Sequence, residues 1–245
     1  MTENIKLIAL DMDGTLLNPE HKVSKRNREA IQKAKDEGIH VVLSTGRSLA
    51  TCIDIAKSLG RSSYIVTING GEIYDEDFNL VEQNLLDHKH VERLWEISNG
   101  HGLHFWTSTV QGQFSSQEPF EKEIGDYDWL KFGYDVEDDE VRQVILDELK
   151  NNEAFEITNS SPTNIEINPV GVNKAAALLK VCGKLGLKMN QVMAVGDSMN
   201  DLAMIREAGF GVAMGNAQEI VKEEANWVTQ TNENDGVAEV IERVL

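Results

Sequence analysis

The chain has 245 residues, of which 41 are acidic and 23 basic, giving a formal charge of −18 at pH 7. That balance excludes nucleic acid and anionic membranes as expected partners, since both repel a polyanion. No apolar stretch reaches the roughly 18 residues of a membrane span, and the polar lead Met1 to Lys6 carries no secretory signal, so a cytoplasmic location is expected. A hydrophobic share of 41% with 26% charged residues is the balance of a soluble globular protein, long enough for one α/β domain or a core with an insertion. Cys52 and Cys182 each fall on the apolar stripe of a predicted helix, which makes them buried thiols, and two cysteines do not make a disulfide framework.

The first 80 residues alternate short apolar runs with helical patterns. A strand from Ile5 to Leu10 precedes a helix from about Lys25 to Glu37, with Ser24 as its N-cap and Gly38 as its stop. A strand from Ile39 to Leu43 follows, then a helix carrying Leu49, Cys52, Ile53 and Ala56 that stops at Gly60. The strand Tyr64 to Ile68 runs into Asn69-Gly70-Gly71. The βαβαβ order predicts a parallel sheet with helices on both faces.

Beyond residue 83 the order changes. A helix with Val91, Leu94 and Trp95 leads to strands Leu103 to Thr107 and Gln111 to Ser116. A second helix, with Val141, Val144, Ile145 and Leu149, leads to Ala154 to Thr158 and Asn164 to Asn168. This α-β-β-α-β-β pattern predicts an antiparallel sheet with helices on one face. The acidic run Asp135 to Glu140 reads as a solvated helix start rather than a metal site, and Phe105, Trp106 and Phe114 as packing of this module, with room for one of these rings to face a substrate.

From Asn173 the βα alternation resumes, with a helix carrying Ala175, Leu178, Leu179 and Cys182, a strand Gln191 to Val195, a helix from about Asn200, and strands near Phe210 to Ala213 and Trp227 to Thr229. The expected organisation is a core made of residues 1–83 and 171–245, with 84–170 as an inserted α+β module.

Four positions are wrong for simple packing, and each lies where a parallel strand ends or the next helix begins, the edge at which open α/β sheets bind ligands. Asp11 and Asp13 close the first strand beside Gly14. Like charges a few ångströms apart repel by roughly 4 kcal/mol at an effective dielectric of 20, so such a pair awaits a cation or shares a proton. Ser44-Thr45-Gly46-Arg47 offers a hydroxyl and backbone amides to an anion. Lys174 opens an otherwise apolar helix. Gly196-Asp197-Ser198-Met199-Asn200-Asp201 closes a buried strand. Asp11, Asp13, Asp197 and Asp201 carry up to four negative charges and a phosphate dianion adds two, while one Mg²⁺ and Lys174 return only three. The set points to metal-assisted phosphoryl chemistry on a small phosphorylated metabolite.

The stretch Asp-Met-Asp-Gly-Thr-Leu-Leu, the Thr-Gly-Arg after the second strand, Lys174 and Gly-Asp-Ser-Met-Asn-Asp-Leu-Ala-Met-Ile together resemble the haloacid dehalogenase superfamily, specifically its Cof-type phosphatases with a type IIB cap. The likeness spans the whole chain, including Asn232 to Val237, and departs from the pattern at Ala175, where such proteins often carry glycine. It implies a HAD-like Rossmannoid core with an inserted cap that serves as lid and substrate reader. It implies Asp11 as the nucleophile that becomes aspartyl-phosphate and Asp13 as general acid and then base. Mg²⁺ is then held by Asp11, Asp197 and the Asp13 backbone carbonyl. Thr45, Gly46, Lys174 and Asn200 bind phosphate, while Asp201 orients Lys174 or a metal-bound water and Arg47 touches substrate or braces the phosphate loop.

The expected activity is Mg²⁺-dependent hydrolysis of sugar phosphates or phosphorylated cofactors by a monomer or homodimer. Phosphoryl transfer between sugars, as in phosphomutases, and phosphosugar binding without turnover are the competing readings. The absence of spans excludes an aspartyl-phosphate ion pump.

Overall fold

The computed structural model describes residues 4–60, 63–150 and 152–245; the start of the polar lead, 1–3, lies outside them. The chain forms two compact units, one of the residues up to Glu82 with Lys174–Leu245, the other Gln83–Asn173.

In the first unit, strands β1 (Leu7–Leu10), β2 (His40–Ser44) and β3 (Tyr64–Thr67) alternate with helices α1 (Lys25–Asp36) and α2 (Leu49–Ser58). Ser24 caps α1 through its side chain, which accepts from the Asn27 amide at 3.0 Å, and Gly38 and Gly60 follow the two helices with φ of 79° and 74°. A hairpin of β4 (Glu72–Asp75) and β5 (Leu80–Gln83) extends the sheet, a pair the residue pattern did not announce.

The second unit contributes α3 (His88–His101), β6 (His104–Thr109), β7 (Gly112–Ser115), β8 (Trp129–Asp135), α4 (Asp139–Lys150), β9 (Phe155–Thr158) and β10 (Asn164–Pro169). The chain then returns to the first unit through α5 (Lys174–Leu185), β11 (Val192–Gly196), α6 (Leu202–Glu207), β12 (Phe210–Ala213), α7 (Glu219–Glu224), β13 (Trp227–Val228) and α8 (Gly236–Val244). Helices α7 and α8 went unread in the sequence.

The first unit is built on an eight-stranded sheet in the order β13-β12-β11-β1-β2-β3-β4-β5. The strands from β13 to β3 run parallel, and β4 is antiparallel to β3. All four residues of β1 are buried, as expected of a strand covered on both faces. Their alternation feeds two cores. Ile8 and Leu10 pack with Val41, Leu43, Ala30, Ile31, Cys52, Val240 and Ile241 on one face, and Leu7 and Ala9 with Val42, Val192, Leu178, Val181 and Cys182 on the other. Both cysteines are buried free thiols. Leu179, expected on the buried stripe, is instead 56% exposed.

Strand β1 is where the order reverses: the chain leaves it for β2 on one side and returns to β11 on the other. The parallel register sets Leu10 beside both Leu43 and Val195. The residues one step further, Asp11, Ser44 and Gly196, therefore emerge side by side at the carboxyl edge.

The second unit is a five-stranded antiparallel sheet, β7-β6-β8-β10-β9. Phe105, Phe132, Tyr134, Ile165 and Ile167 form one core with Val91, Leu94 and Ile97 of α3 and Ile145 and Leu149 of α4. Val144, expected in that stripe, is 56% exposed. The acidic run does start a helix, with Asp138 Oδ1 accepting from the amides of Glu140 and Val141. Strand β8, absent from the α-β-β-α-β-β reading, is the centre of the sheet. Its glycine and lysine disguised it: a Cβ on Gly133 would lie 2.3 Å from the Trp106 ring, and Lys131 sits beneath that same ring.

Candidate active site

Asp11 leaves β1 with its amide still bonded to the Val195 carbonyl at 3.0 Å, so its position is an extension of the sheet. The chain then turns sharply, with Leu16 N bonded to Asp11 O and Leu17 N to Met12 O. Gly14 makes this turn possible. Its φ is 79°, and a Cβ there would lie 2.4 Å from Asp197 Oδ2. Gly196 is required by contact alone, because a Cβ would meet Asp201 Cγ at 2.3 Å.

Lys174, the first residue of α5, is fully buried. Its ammonium donates to Asp11 Oδ1 at 2.6 Å and Asp201 Oδ1 at 2.7 Å. Asp201 Oδ2 accepts from the amides of Asp197 and Ser198 at 2.9 and 3.1 Å. Both Asp201 oxygens are thus committed, one to the lysine and one to the loop. Asp197 accepts from Thr15 Oγ1 at 2.9 Å and Ser198 Oγ at 3.2 Å. Carboxylate oxygens of Asp11, Asp197 and Asp201 all lie within 4.8 Å of one another, close enough to hold a metal ion.

The electrostatics follow from two buried carboxylates, Asp11 and Asp201, and the half-buried Asp197 facing one ammonium. Burial, then the charges of Asp201 and Asp197 against the opposing pull of Lys174, holds the Asp11 carboxyl well above the usual range. Burial and Asp201 push Asp197 up to about 7. Burial would strip Lys174 of its proton, but Asp11 and Asp201 outweigh it and keep the ammonium charged. The set fits a divalent cation. Hard oxygen donors converge, the surplus charge is negative, and Asp11 and Asp197 carry it while Asp201 is occupied.

The Thr45-Gly46 turn expected to bind phosphate stands at the same edge, on the far side of β1 from β11. Thr45 is buried, its amide bonded to Val66 O and its hydroxyl accepting from the Arg47 amide at 3.1 Å; Gly46 is half-buried beside it. Asn200 donates from Nδ2 to Asn69 Oδ1 at 3.3 Å, and its buried Oδ1 has no partner among the described residues. The Asp13 carboxylate turns away from the cluster to Arg47, with Nε to Oδ2 at 2.7 Å and Nη2 to Oδ1 at 2.5 Å.

Several residues here went unmarked in the sequence. Asn69 takes φ 55° in the loop after β3 and braces both Asn200 and, through its amide, Thr45 O. Thr15 and Ser198 hold Asp197, and both stood inside the motifs already singled out. Asn216 and Asn232 donate to the carbonyls of Gly14 and Leu17. Asn216 carried no local signal; Asn232 was noted only as part of a near-terminal stretch.

A parallel sheet whose reversal point gathers these acids around one buried lysine defines a phosphoryl-transfer enzyme class, and comparison with known proteins identifies which. The profile of the haloacid dehalogenase-like hydrolases matches residues 8–128 and 113–241, and the chain belongs to that family. It is a Cof-type phosphatase by its relatives. A 5-amino-6-(5-phospho-D-ribitylamino)uracil phosphatase of Bacillus subtilis, YcsE, is 57% identical over 238 residues, covering 97% of this chain and 95% of that one. A haloacid dehalogenase-like hydrolase from B. subtilis superposes with a TM-score of 0.90 at 27% identity, covering 98% of this chain and all of the other. The subclass IIB sugar phosphatase BT4131 shares the fold at a TM-score of 0.84 and 21% identity, covering 98% of this chain and 100% of its own. No helix among the described residues is long and apolar enough to cross a membrane.

Proposed function

We propose that this phosphatase releases inorganic phosphate from the phosphorylated ribityl chain of 5-amino-6-(5-phospho-D-ribitylamino)uracil, using Mg²⁺ and an aspartyl-phosphate on Asp11. The observation that carries the chemistry is the Lys174 ammonium between Asp11 and Asp201, with Asp197 close by and negative charge left over. Support for the substrate is the 57% identity to a phosphatase named for it.

Lys174 holds Asp11 by Oδ1, which leaves the other oxygen to attack phosphorus. The bond to the leaving oxygen breaks, and Asp13 supplies the proton that oxygen takes up. Asp13 then removes a proton from water, which attacks the aspartyl-phosphate, frees phosphate and restores the Asp11 carboxylate. Thr45, Gly46, Lys174 and Asn200 hold phosphate oxygens as charge moves onto them. Asp11, Asp197 and the Asp13 carbonyl would hold Mg²⁺, which neutralises charge on the phosphoryl group and the attacking carboxylate when bound. Asp201 orients Lys174, and its bonds to the Asp197 and Ser198 amides tie that lysine to the metal loop.

The inserted unit, Gln83–Asn173, reads the leaving group. On the sheet face opposite the one covered by α3 and α4, the half-buried Trp106 ring is suited to stack on a pyrimidine, while Lys131 and Glu166 beneath it are buried. The test is phosphate release from that uracil derivative, from simple sugar phosphates and from an aryl phosphate, each with Mg²⁺ and with EDTA. Metal-dependent turnover with the highest kcat/KM on the uracil derivative supports the reading. Preference for an unrelated ester overturns the substrate, and turnover undiminished in EDTA overturns the metal.

A further inference from the structure

Both oxygens of Asp13 are taken by one guanidinium. Arg47 grips them through Nε at 2.7 Å and Nη2 at 2.5 Å, and the His21 ring lies 3.7 Å from Oδ1 and 3.4 Å from Arg47 Nη2. A two-point fork fixes the plane of a carboxyl group as well as its place. Stability gives little reason for the arrangement. The side chain of Asp13 is 47% exposed, that of Arg47 24% and that of His21 73%, and an ion pair with its carboxylate half open to water adds little to folding.

The backbone beneath the two clamping residues is unusual. His21 has φ 55° and Ile68 φ 51°, the left-handed region that a β-branched side chain enters only under constraint. His21 sits in a tight turn, its amide bonded to Asn18 O at 2.8 Å and the next amide, Lys22, to Asn18 Oδ1 at 2.9 Å. Ile68 donates to Arg47 O at 3.0 Å, while the Arg47 amide donates to Thr45 Oγ1. Strain at His21 and Ile68 is thus associated with the two residues that reach Asp13.

We infer that Arg47, assisted by His21, is a positioning residue that aims the Asp13 carboxyl at the leaving oxygen, and so sets how poor a leaving group the enzyme can expel. The inference rests on the acid/base role proposed above for Asp13. When the bond from phosphorus to the leaving oxygen breaks, its electron pair stays on that oxygen, which takes the proton from Asp13. The carboxylate so formed is the species a guanidinium fork binds, and it is ready to take the proton of the incoming water. An alkoxide cannot leave without that proton, whereas dinitrophenolate can. Misaiming Asp13 therefore penalises alkyl esters selectively.

The experiment compares kcat/KM for ribitol 5-phosphate and 2,4-dinitrophenyl phosphate in wild type, D13N, R47A, R47K, H21A and the D13N/R47A double variant. D13N is expected to lower the alkyl ester by about 10²- to 10⁴-fold and the activated ester far less. R47A should lower the ratio of alkyl to activated rates at least about tenfold, R47K less because it keeps the charge without the fork, and H21A least. R47A added to D13N should leave the ratio where D13N put it, since the arginine acts through that carboxyl. Equal losses on both esters in R47A, whether in kcat from a structural role or in KM from direct phosphate contact, overturn the inference while leaving Asp13 in its role. A D13N variant that treats the two esters alike overturns the acid/base reading instead. Should R47A fail to fold, R47K carries the same ratio test.

Discussion

Each unit of the protein buries a charged cluster, and the two clusters are built on opposite terms. In the inserted unit Lys131 and Glu166 face each other at 3.6 Å, each side chain 4% exposed, with the Trp106 ring 4.9 Å from the ammonium and Ser160 donating to Glu166 at 2.6 Å. One positive charge meets one negative. At the edge of the core, Lys174 faces Asp11, Asp197 and Asp201 together. That edge is short of positive charge, and a fold tolerates such a shortfall where a cation makes it up. Balance marks structure; imbalance marks chemistry.

The sharpest way to break this contrast is to remove the proposed nucleophile. D11N is expected to lower turnover by roughly 10³-fold or more while the protein stays folded, since the change removes one of the crowded charges; steady-state kinetics with a urea melt checks both halves. Next in size is the lysine. K174M leaves the buried Asp11 and Asp201 uncompensated and should cost about 3–5 kcal/mol of stability, part of it restored by Mg²⁺, whereas K131M/E166L removes a balanced pair and should be neutral or stabilising in the same melts. A smaller effect follows from metal binding. Mg²⁺ at about 100 times its Kd adds roughly 2.7 kcal/mol to wild type, and D197N should lose most of that increment without touching the Lys131 cluster. The smallest signal is the pH slope. Asp197 is raised to about 7 from an ordinary value near 3.8, so between those limits the folded state binds more protons than the unfolded chain. Stability in EDTA should therefore fall as pH rises from about 4 to 7, and Mg²⁺ should flatten the slope.

Much of the core was legible because its strands are buried on both faces and read as plain apolar runs ending in residues that do not belong in a core. Lys174 and Asp197 could be singled out from chain position alone, and the structure joins Lys174 to Asp11 and sets Asp197 close to both. What could not be read depends on distant partners. Gly133 and Lys131 look hostile to a strand until Trp106 is laid across them. The β4–β5 hairpin turns on Asp75 accepting from the Asp77 and Asn79 amides, a local device that the apolar pattern does not register. His21 and Asn69 act through left-handed backbone, which both residue types tolerate, but the partners each reaches from there are set by the turns around it.

The central claim is that the surplus negative charge at the core edge exists so that Asp11 can take a phosphoryl group. Its most direct test is to quench wild-type turnover of a phosphoester with Mg²⁺ and reduce the mixture with borohydride, which converts an aspartyl-phosphate to homoserine, then locate that residue by peptide mass spectrometry. Homoserine at position 11, present only with substrate, is the expected result. Steady turnover with the modification at another position contradicts the account.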